Sequence, residues 1–395
     1  MKRLHRSEAL ALCVGALRSK HTIAVTGTCG KTSVTSALAE TLFHLGKDPG
    51  VLAGGLVNAF RTETQAGNFR KGNGDYFVLE ADESDKSLLN YSADSALVLN
   101  IGTDHYSKEE LARVFGTFLS GVRSCAVVEL QGMQLIRKHF GPLPDHLQLI
   151  LFSGDQDAPD EWEGHKVFRV EEYHSGPEGA FCRFSTAGRA IRLPGPGKYQ
   201  ALNALGIYVL LRSKGFEEES LLKALESFHG TWRRFDPAGS RGGVRFYDDY
   251  AHNVEKIISC LEAAHELTDG KVIALFQPHG YGPLGFMRHE LFKALEKHLR
   301  KQDLFGMLNV YYAGGSSSFT PESAEVIAEY RKEGKKNYIP LPSRQEAGEL
   351  IRSQAEPGDI VLVMGARDNS LSSWAKTLPE FAEIPERKNS GEAYQ

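Results

Sequence analysis

The stretch "AVTGTCGKTSV", Ala24–Val34, decides how the rest of the chain is read. A short apolar run, "HTIAVTG" (His21–Gly27), ends at a glycine turn. Lys31 and Thr32 then open a run in which Val34, Ala37, Leu38, Thr41, Leu42 and Leu45 recur at helical spacing, with Gly46 as a natural stop. Strand, glycine turn and helix in that order form a cradle for phosphate. Backbone N–H groups and the positive helix end face the anion, the lysine neutralises β/γ oxygens, and the hydroxyl holds Mg²⁺. The loop is not the common GxxxxGK[ST], because Val25 stands where the first glycine would be. It fits AxxGTxGK[ST] through Ala24, Gly27, Thr28, Gly30, Lys31 and Thr32. These loop residues from Gly27 on, with Ser33, are the expected ATP contacts.

Strand and helix signals continue to alternate downstream. "YFVLEAD" (Tyr76–Asp82) and "SALVLNIG" (Ser95–Gly102) read as buried parallel strands. Over residues 147–194 the texture changes to short alternating segments, "LQLILFS", "HKVFRVEEY", "FCRFS" and "RAIRLP", which predict a small, partly antiparallel insert. Helical periodicity returns over Gln200–Lys214 and Glu218–Phe228. A second block then offers strands at Val244–Tyr250, Lys271–Pro278, near Leu304–Tyr312 and at Asp359–Gly365, with helices at Pro321–Lys332 and Arg344–Gln354. The expected fold is α/β: a phosphate-loop domain over 1–228 built on a mostly parallel sheet, then a second β-α domain over 229–395.

Composition narrows the class. In 395 residues, 41% are apolar and 24% charged, ordinary for a globular protein with more than one core. A net charge of −4 gives no electrostatic reason to expect nucleic acid or an anionic membrane as partner. No apolar run approaches the roughly 20 residues that span a bilayer. "MKRLHRSEALALCVGALRSK" has a basic start and an apolar middle, but Arg6, Glu8 and Arg18 interrupt it and no small-residue cleavage site follows, so it reads as an amphipathic helix on a cytoplasmic protein. The five cysteines are odd in number and lack CxxC spacing, which fits free thiols in a reducing compartment.

Two acidic clusters follow strand ends, where β-α sheets bind their ligands: "EADESD" (Glu80–Asp85) and "NIGTDH" (Asn100–His105). Magnesium takes hard oxygen ligands, so a carboxylate near Thr32 is the required partner.

At this point the chain resembles the Mur ligase family, and within it the branch that joins L-alanine to UDP-N-acetylmuramate. The matching stretches are "AVTGTCGKTS", "EADESD", "LNIGTDH", "KYQALNALG", "GTWRRFD", "DDYAHN", "FQPHGY" and "VLVMGA", in family order. The resemblance implies an N-terminal UDP-sugar domain, a central ATPase and a C-terminal Rossmann-like domain, of which the sequence accounts for the last two. It implies an ATP- and Mg²⁺-dependent ligase that makes an acyl phosphate, which an amine then attacks. By matching position, Lys31 would stabilise the β/γ-phosphates, and Thr32 and Glu80 would bind Mg²⁺. His105 would hold a second Mg²⁺ or orient the acyl phosphate. Asn203 would contact adenine, Arg234 a phosphate and Asp249 the nucleotide, with closure about a hinge near Phe228–Trp232. His252 and His279 would line the substrate side.

Some positions depart from the family pattern. The helix after the "DH" pair offers no lysine for carbamylation, as in the alanine-adding branch. Tyr199 and Gln200 replace two polar groups near the base, and Asn253 replaces a histidine. Gly280 and Pro283 stand where two substrate-side arginines are expected, which questions the substrate more than the ATP chemistry. The leading expectation is an acid–amino-acid ligase acting on an amino acid and a carboxylate acceptor in or near peptidoglycan precursor synthesis. The alternatives are a ligase for an acceptor without UDP and an ATP-binding regulator that no longer ligates; a general phosphate-loop NTPase is opposed by the C-terminal motifs. The chain alone is expected to bind UDP-N-acetylmuramate weakly, a protein partner supplying the carrier site if it serves the cell wall.

Overall fold

A computed structural model describes residues 6–16, 21–102, 106–176, 178–312, 314, 320–331 and 334–382. The chain divides into two compact units that change over between Trp232 and Arg233. The changeover falls there rather than at 228/229 because the last residues of the first unit are held by it: Val57 bridges Thr231, and Trp232 N–H donates to Leu56 O at 3.2 Å.

The first unit is centred on a sheet with β1 (His21–Thr26), β2 (Gly50–Leu52), β3 (Phe69–Arg70), β4 (Tyr76–Glu80), β5 (Ser95–Val98), β6 (Cys125–Glu129), β7 (Gln148–Ser153), β8 (Glu161–Trp162), β9 (His165–Gly176), β10 (Gly179–Phe184) and β11 (Ile191–Leu193). Their order is β11-β10-β9-β7-β6-β5-β1-β4-β2-β3, with β8 paired to β9. The pairings β1–β4, β1–β5, β5–β6, β6–β7 and β2–β4 are all parallel. The segment over 147–194 supplies β7 to β11. Its first strand continues the parallel ladder on β6, and the antiparallel pairs β8–β9 and β10–β11 lie within it.

The central strands read as unbroken apolar runs because both of their faces are covered. Alternate residues serve opposite layers. Ile23, Val25, Leu97 and Val127 pack on one side with Val34, Leu38 and Leu42 of α2 (Lys31–His44). Ala24, Ala96, Val98, Ala126 and Val128 pack on the other, with α3 (Lys108–Ser120) and α4 (Leu130–His139). Helices α5 (Lys198–Ser213) and α6 (Glu218–Glu226) complete the first layer. The N-terminal helix α1 (Arg6–Ala16) buries Ser7 and Val14 and accepts from Asn90 Nδ2 at Ser7 Oγ, but leaves Leu12 exposed. It covers a corner of the sheet, with a narrower apolar stripe than an amphipathic reading expects.

The second unit is a sheet of β12 (Asp236–Arg241), β13 (Val244–Asp249), β14 (Val272–Gln277), β15 (Leu304–Leu308), β16 (Tyr338–Leu341) and β17 (Ile360–Gly365), in the order β12-β13-β17-β14-β15-β16. Only β12 is antiparallel to its neighbour. Among its helices, α7 (Val254–Leu267) and α8 (Tyr281–His298) follow β13 and β14. None of the five cysteines forms a disulfide. Among the described residues no helix is long and apolar enough to cross a membrane.

Candidate active site

The strand order explains why two acidic motifs far apart in sequence meet one loop. β1 lies between β4 and β5, so the loop leaving β1 emerges between the carboxyl ends of both neighbours. That crevice is where open α/β sheets bind ligands. Gly30 opens α2 at φ +87°, in the left-handed region, and has no side chain with which to cap the first helical N–H groups. Those groups stay available to an anion. A Cβ on Gly30 would lie 3.4 Å from Asn203 Oδ1, so the α5 residue expected near adenine sits against the phosphate loop.

Lys31 Nζ donates to Gly27 O at 2.9 Å and pairs with Glu83 at 2.7 Å and Asp82 at 3.6 Å. Burial works against its charge, but Glu83, helped by Asp82 and Glu80, outweighs that and holds its pKa above the ordinary lysine value. For Glu83 burial dominates and pushes the carboxyl up, with Lys31 pulling it back in part. Thr32 Oγ1 donates to Glu80 Oε1 at 2.9 Å, while Glu80 Oε2 accepts from Gly54 N–H at 2.6 Å. A Cβ on Gly54 would stand 2.8 Å from Glu80 Oε1, so glycine is what lets the backbone approach that carboxylate. A hydroxyl and a carboxylate at hydrogen-bond distance beside an anion cradle are the hard oxygen donors Mg²⁺ takes, so the residues present fit that ion.

Asn100 holds the loop in place: its Oδ1 accepts from Cys29 N–H at 2.9 Å and its Nδ2 donates to Cys29 O at 3.0 Å. Thr28 Oγ1 accepts from Gly102 N–H at 2.8 Å. His105 lies outside the described residues. Ser33, Gln200 and Asn203 share with apolar side chains of α2, α5, β11 and α6 a narrow slot of about 20 Å³ beside the loop. Tyr199 is exposed.

In the second unit the two adjacent arginines separate. Arg233, at φ +55°, is fully buried; its Nε donates to Asp248 at 3.2 Å, Nη1 to Asp368 O at 3.1 Å and Nη2 to Gly365 O at 2.7 Å. Arg234, the expected phosphate contact, is half-buried, with its guanidinium 5.6 Å from the Tyr250 ring centre. Asp249 uses Oδ2 for Phe235 N–H at 2.6 Å and Oδ1 for Ala251 N–H at 2.7 Å, so it shapes the backbone on either side of Arg234's loop. Burial raises its pKa, against Arg234.

His252 and His279 come together, ring centres 5.3 Å apart at 78°. Burial lowers the pKa of both, that of His252 to about 4, so each is a neutral imidazole at neutral pH. Asn253, in place of a histidine, caps α7 by accepting Lys256 N–H at 3.0 Å. Gly280 sits at φ +104° before α8 and Pro283 lies in its first turn. Arg367, exposed and at φ +65°, adds a cation that disfavours protonation of His279, and its N–H donates to Tyr250 Oη at 3.3 Å.

Sequence reasoning did not single out Glu83, Asn100, Arg233 or Arg367. The first two stood inside quoted motifs, and Arg233 beside Arg234. Arg367 follows "VLVMGA" directly, where a cation just past a strand end was the available signal.

A phosphate loop backed by a lysine–carboxylate pair and a threonine–carboxylate pair, on parallel α/β sheets, defines a nucleoside-triphosphate-dependent enzyme. Comparison with known proteins narrows this. The Mur ligase middle domain model matches residues 25–211, and the Mur ligase, glutamate ligase domain model matches residues 233–367. The UDP-N-acetylmuramate–L-alanine ligase of Phenylobacterium zucineum is 33% identical over 392 residues, covering 95% of this chain and 77% of that protein. The protein of the same name from Chelativorans sp. is 32% identical, with 95% and 79% covered. Among solved structures, the UDP-N-acetylmuramate–alanine ligase MurC of Thermotoga maritima superposes with a TM-score of 0.74 at 25% identity, covering 95% of this chain and 78% of that one. The MurF ligase of the same organism, solved with ADP, shares the fold with a TM-score of 0.68 at 19% identity, covering 95% of this chain and 84% of that one. The chain belongs to the Mur ligase family, the ATP-dependent peptide ligases of peptidoglycan precursor synthesis.

Proposed function

We propose that this chain activates a carboxylate by phosphorylation from ATP and joins it to the amine of an amino acid, releasing ADP and phosphate in the cytoplasm. The observation that carries the reading is the paired arrangement at the loop: Lys31 on Glu83 at 2.7 Å and Thr32 on Glu80 at 2.9 Å. An incoming triphosphate competes with Glu83 for Lys31, whose charge then serves the β/γ oxygens. Thr32 and Glu80, with His105 by family resemblance, would hold Mg²⁺, which supplies charge neutralisation of the phosphates when bound. The acceptor's carboxylate oxygen attacks the γ-phosphorus, the bond to the ADP oxygen breaks, and an acyl phosphate forms. The amine attacks the acyl carbon, phosphate leaves, and the amine's proton passes to a base. His252 and His279 are neutral at working pH and so free to accept that proton, while burial makes both weaker bases than an exposed imidazole. Gly27, Thr28, Gly30 and Ser33 cradle the phosphates in this reading; Asn203 meets the base, and Arg234 and Asp249 contact the nucleotide.

Arg367 takes the part that Gly280 and Pro283 cannot. A guanidinium beside His279 is the group that pairs with an amino acid's carboxylate. The UDP-bearing acceptor named for the relatives would be held by a carrier-binding domain or a partner chain outside the two units, since the family's middle and C-terminal domain models claim residues 25–211 and 233–367.

The test is ADP release by the chain with ATP, Mg²⁺, amino-acid pools and carboxylate acceptors, UDP-N-acetylmuramate among them. Release that depends on both co-substrates is expected, and Arg367→Ala should raise KM for the amino acid about tenfold or more with ATP binding unchanged. Nucleotide binding without turnover under all acceptors would instead favour a regulator.

A further inference from the structure

Helix α2 carries a second group of polar side chains, beyond the phosphate loop. Glu40 is on its buried face, with a side chain 0% exposed. Its Oε1 accepts the backbone N–H of His229 at 3.1 Å, lies against His229 Nδ1, and is 3.4 Å from His44 Nε2. Its Oε2 is buried and finds no hydrogen-bond partner among the described residues. Glu40 and His44 share one face of the helix, a turn apart. His229 precedes the bridge that Thr231 makes to Val57, so its backbone is held there. The ligand atoms of the three residues all lie within 4.8 Å of one another. A histidine–carboxylate hydrogen bond accounts for Oε1. It explains neither the second imidazole nor a buried carboxylate oxygen left without a partner, a costly arrangement.

We propose that Glu40, His44 and His229 form a binding site for a divalent transition ion, zinc being the ion that suits it. Two imidazole nitrogens and one carboxylate are a donor set that Zn²⁺, Co²⁺ and Ni²⁺ accept, whereas Mg²⁺ prefers oxygen alone and keeps its water. Bonds of about 2.0–2.1 Å to a tetrahedral ion set ligand atoms about 3.3–3.4 Å apart. The Glu40 Oε1–His44 Nε2 separation of 3.4 Å already meets that. His229, with a side chain 66% exposed, has only to draw back from Oε1 for the ion to replace the proton between them. His44, 32% exposed, and His229 leave an entry path and a fourth position for water. This site is separate from the one at Thr32, about 12 Å further along the helix axis. An ion here ties the C-terminal turn of the phosphate-loop helix to the segment that ends the first unit.

The test is a calorimetric Zn²⁺ titration of the metal-stripped full chain, without nucleotide and in excess Mg²⁺, with Co²⁺ as a visible-absorbing probe in parallel. One ion per chain at micromolar affinity or tighter is expected, with the strong visible bands of four-coordinate Co²⁺. His44→Ala and His229→Ala, exposed positions whose variants should keep the fold by circular dichroism, should each weaken binding at least tenfold, as should the near-isosteric Glu40→Gln. Zinc binding that survives both histidine variants unchanged, at exposed Cys29 for example, would overturn the proposal, as would no binding at all.

Discussion

Lys31 and Arg233 are both buried cations paired with a carboxylate, one in each unit, and they differ in what remains for a ligand. The Lys31 side chain is 14% exposed and rests on one carbonyl, one buried acid and one exposed acid. Arg233 is 0% exposed, and its guanidinium is committed to Asp248 and to two backbone carbonyls in the turn after β17. A phosphate can displace Glu83 from Lys31, because a second anion replaces the first and the carboxyl is already biased by burial toward taking up a proton. Nothing can displace Asp248 from Arg233 without stranding carbonyls as well. In the proposed reading a buried ion pair is a poised binding site in the first unit, and in the second it is a structural tie. The difference lies in the remaining donors and the route to solvent.

The sharpest way to break that comparison is Lys31→Ala. It should lower kcat about 10³-fold while the melting temperature moves little, since Glu83 can protonate in place of its lost partner. Retention of most turnover would remove Lys31 from the phosphate site. Arg233→Met should act in the opposite manner. Asp248 is left buried without its cation, at a cost of about 3–5 kcal/mol in denaturant unfolding of the full chain. A loss below roughly 1 kcal/mol would show that the guanidinium is not the tie described.

The smallest expected effect refines the second unit's electrostatics. Between 6.5 and about 4 the unfolded chain protonates His252 while the native state does not. Its contribution is therefore complete above pH 6.5 and is lost as pH falls through that window, by up to about 3 kcal/mol. Asp248, pushed up to about 6 chiefly by burial, works oppositely: from 3.8 to about 6 the native state holds a proton that the unfolded chain has released. His252→Gln should flatten the acid limb of the stability profile and leave the Asp248 component. An unchanged profile would mean that His252 titrates as it does in the unfolded chain.

The phosphate loop was legible because everything that defines it is local. β1, the turn at Gly27–Gly30 and α2 follow from an apolar run, two glycines and a helical period within the span from His21 to His44. Lys31, Thr32 and the motif around Glu80 carried their chemistry in their types and spacing. Which acids face Lys31 was not legible: "EADESD" offers four, and Glu83 at 2.7 Å, with Asp82 at 3.6 Å, reaches it through the bend after β4. Nor could two adjacent arginines be told apart: both guanidinium groups lie near the Tyr250 ring, at 5.2 and 5.6 Å, and only the left-handed turn at Arg233 buries the first fully while the second stays half-buried.

The sequence by itself determined the strands, the helices, the anion cradle and the family, because hydrogen-bonded periodicity and glycine turns are set by neighbours along the chain. The tertiary structure alone decided which charged groups meet. Strand order places β4 and β5 on either side of β1, bringing Glu83 and Asn100 to one loop, and packing carries His229 to Glu40 across 189 residues of sequence. Such pairings depend on contacts between segments far apart in the chain, and no local pattern encodes that distance.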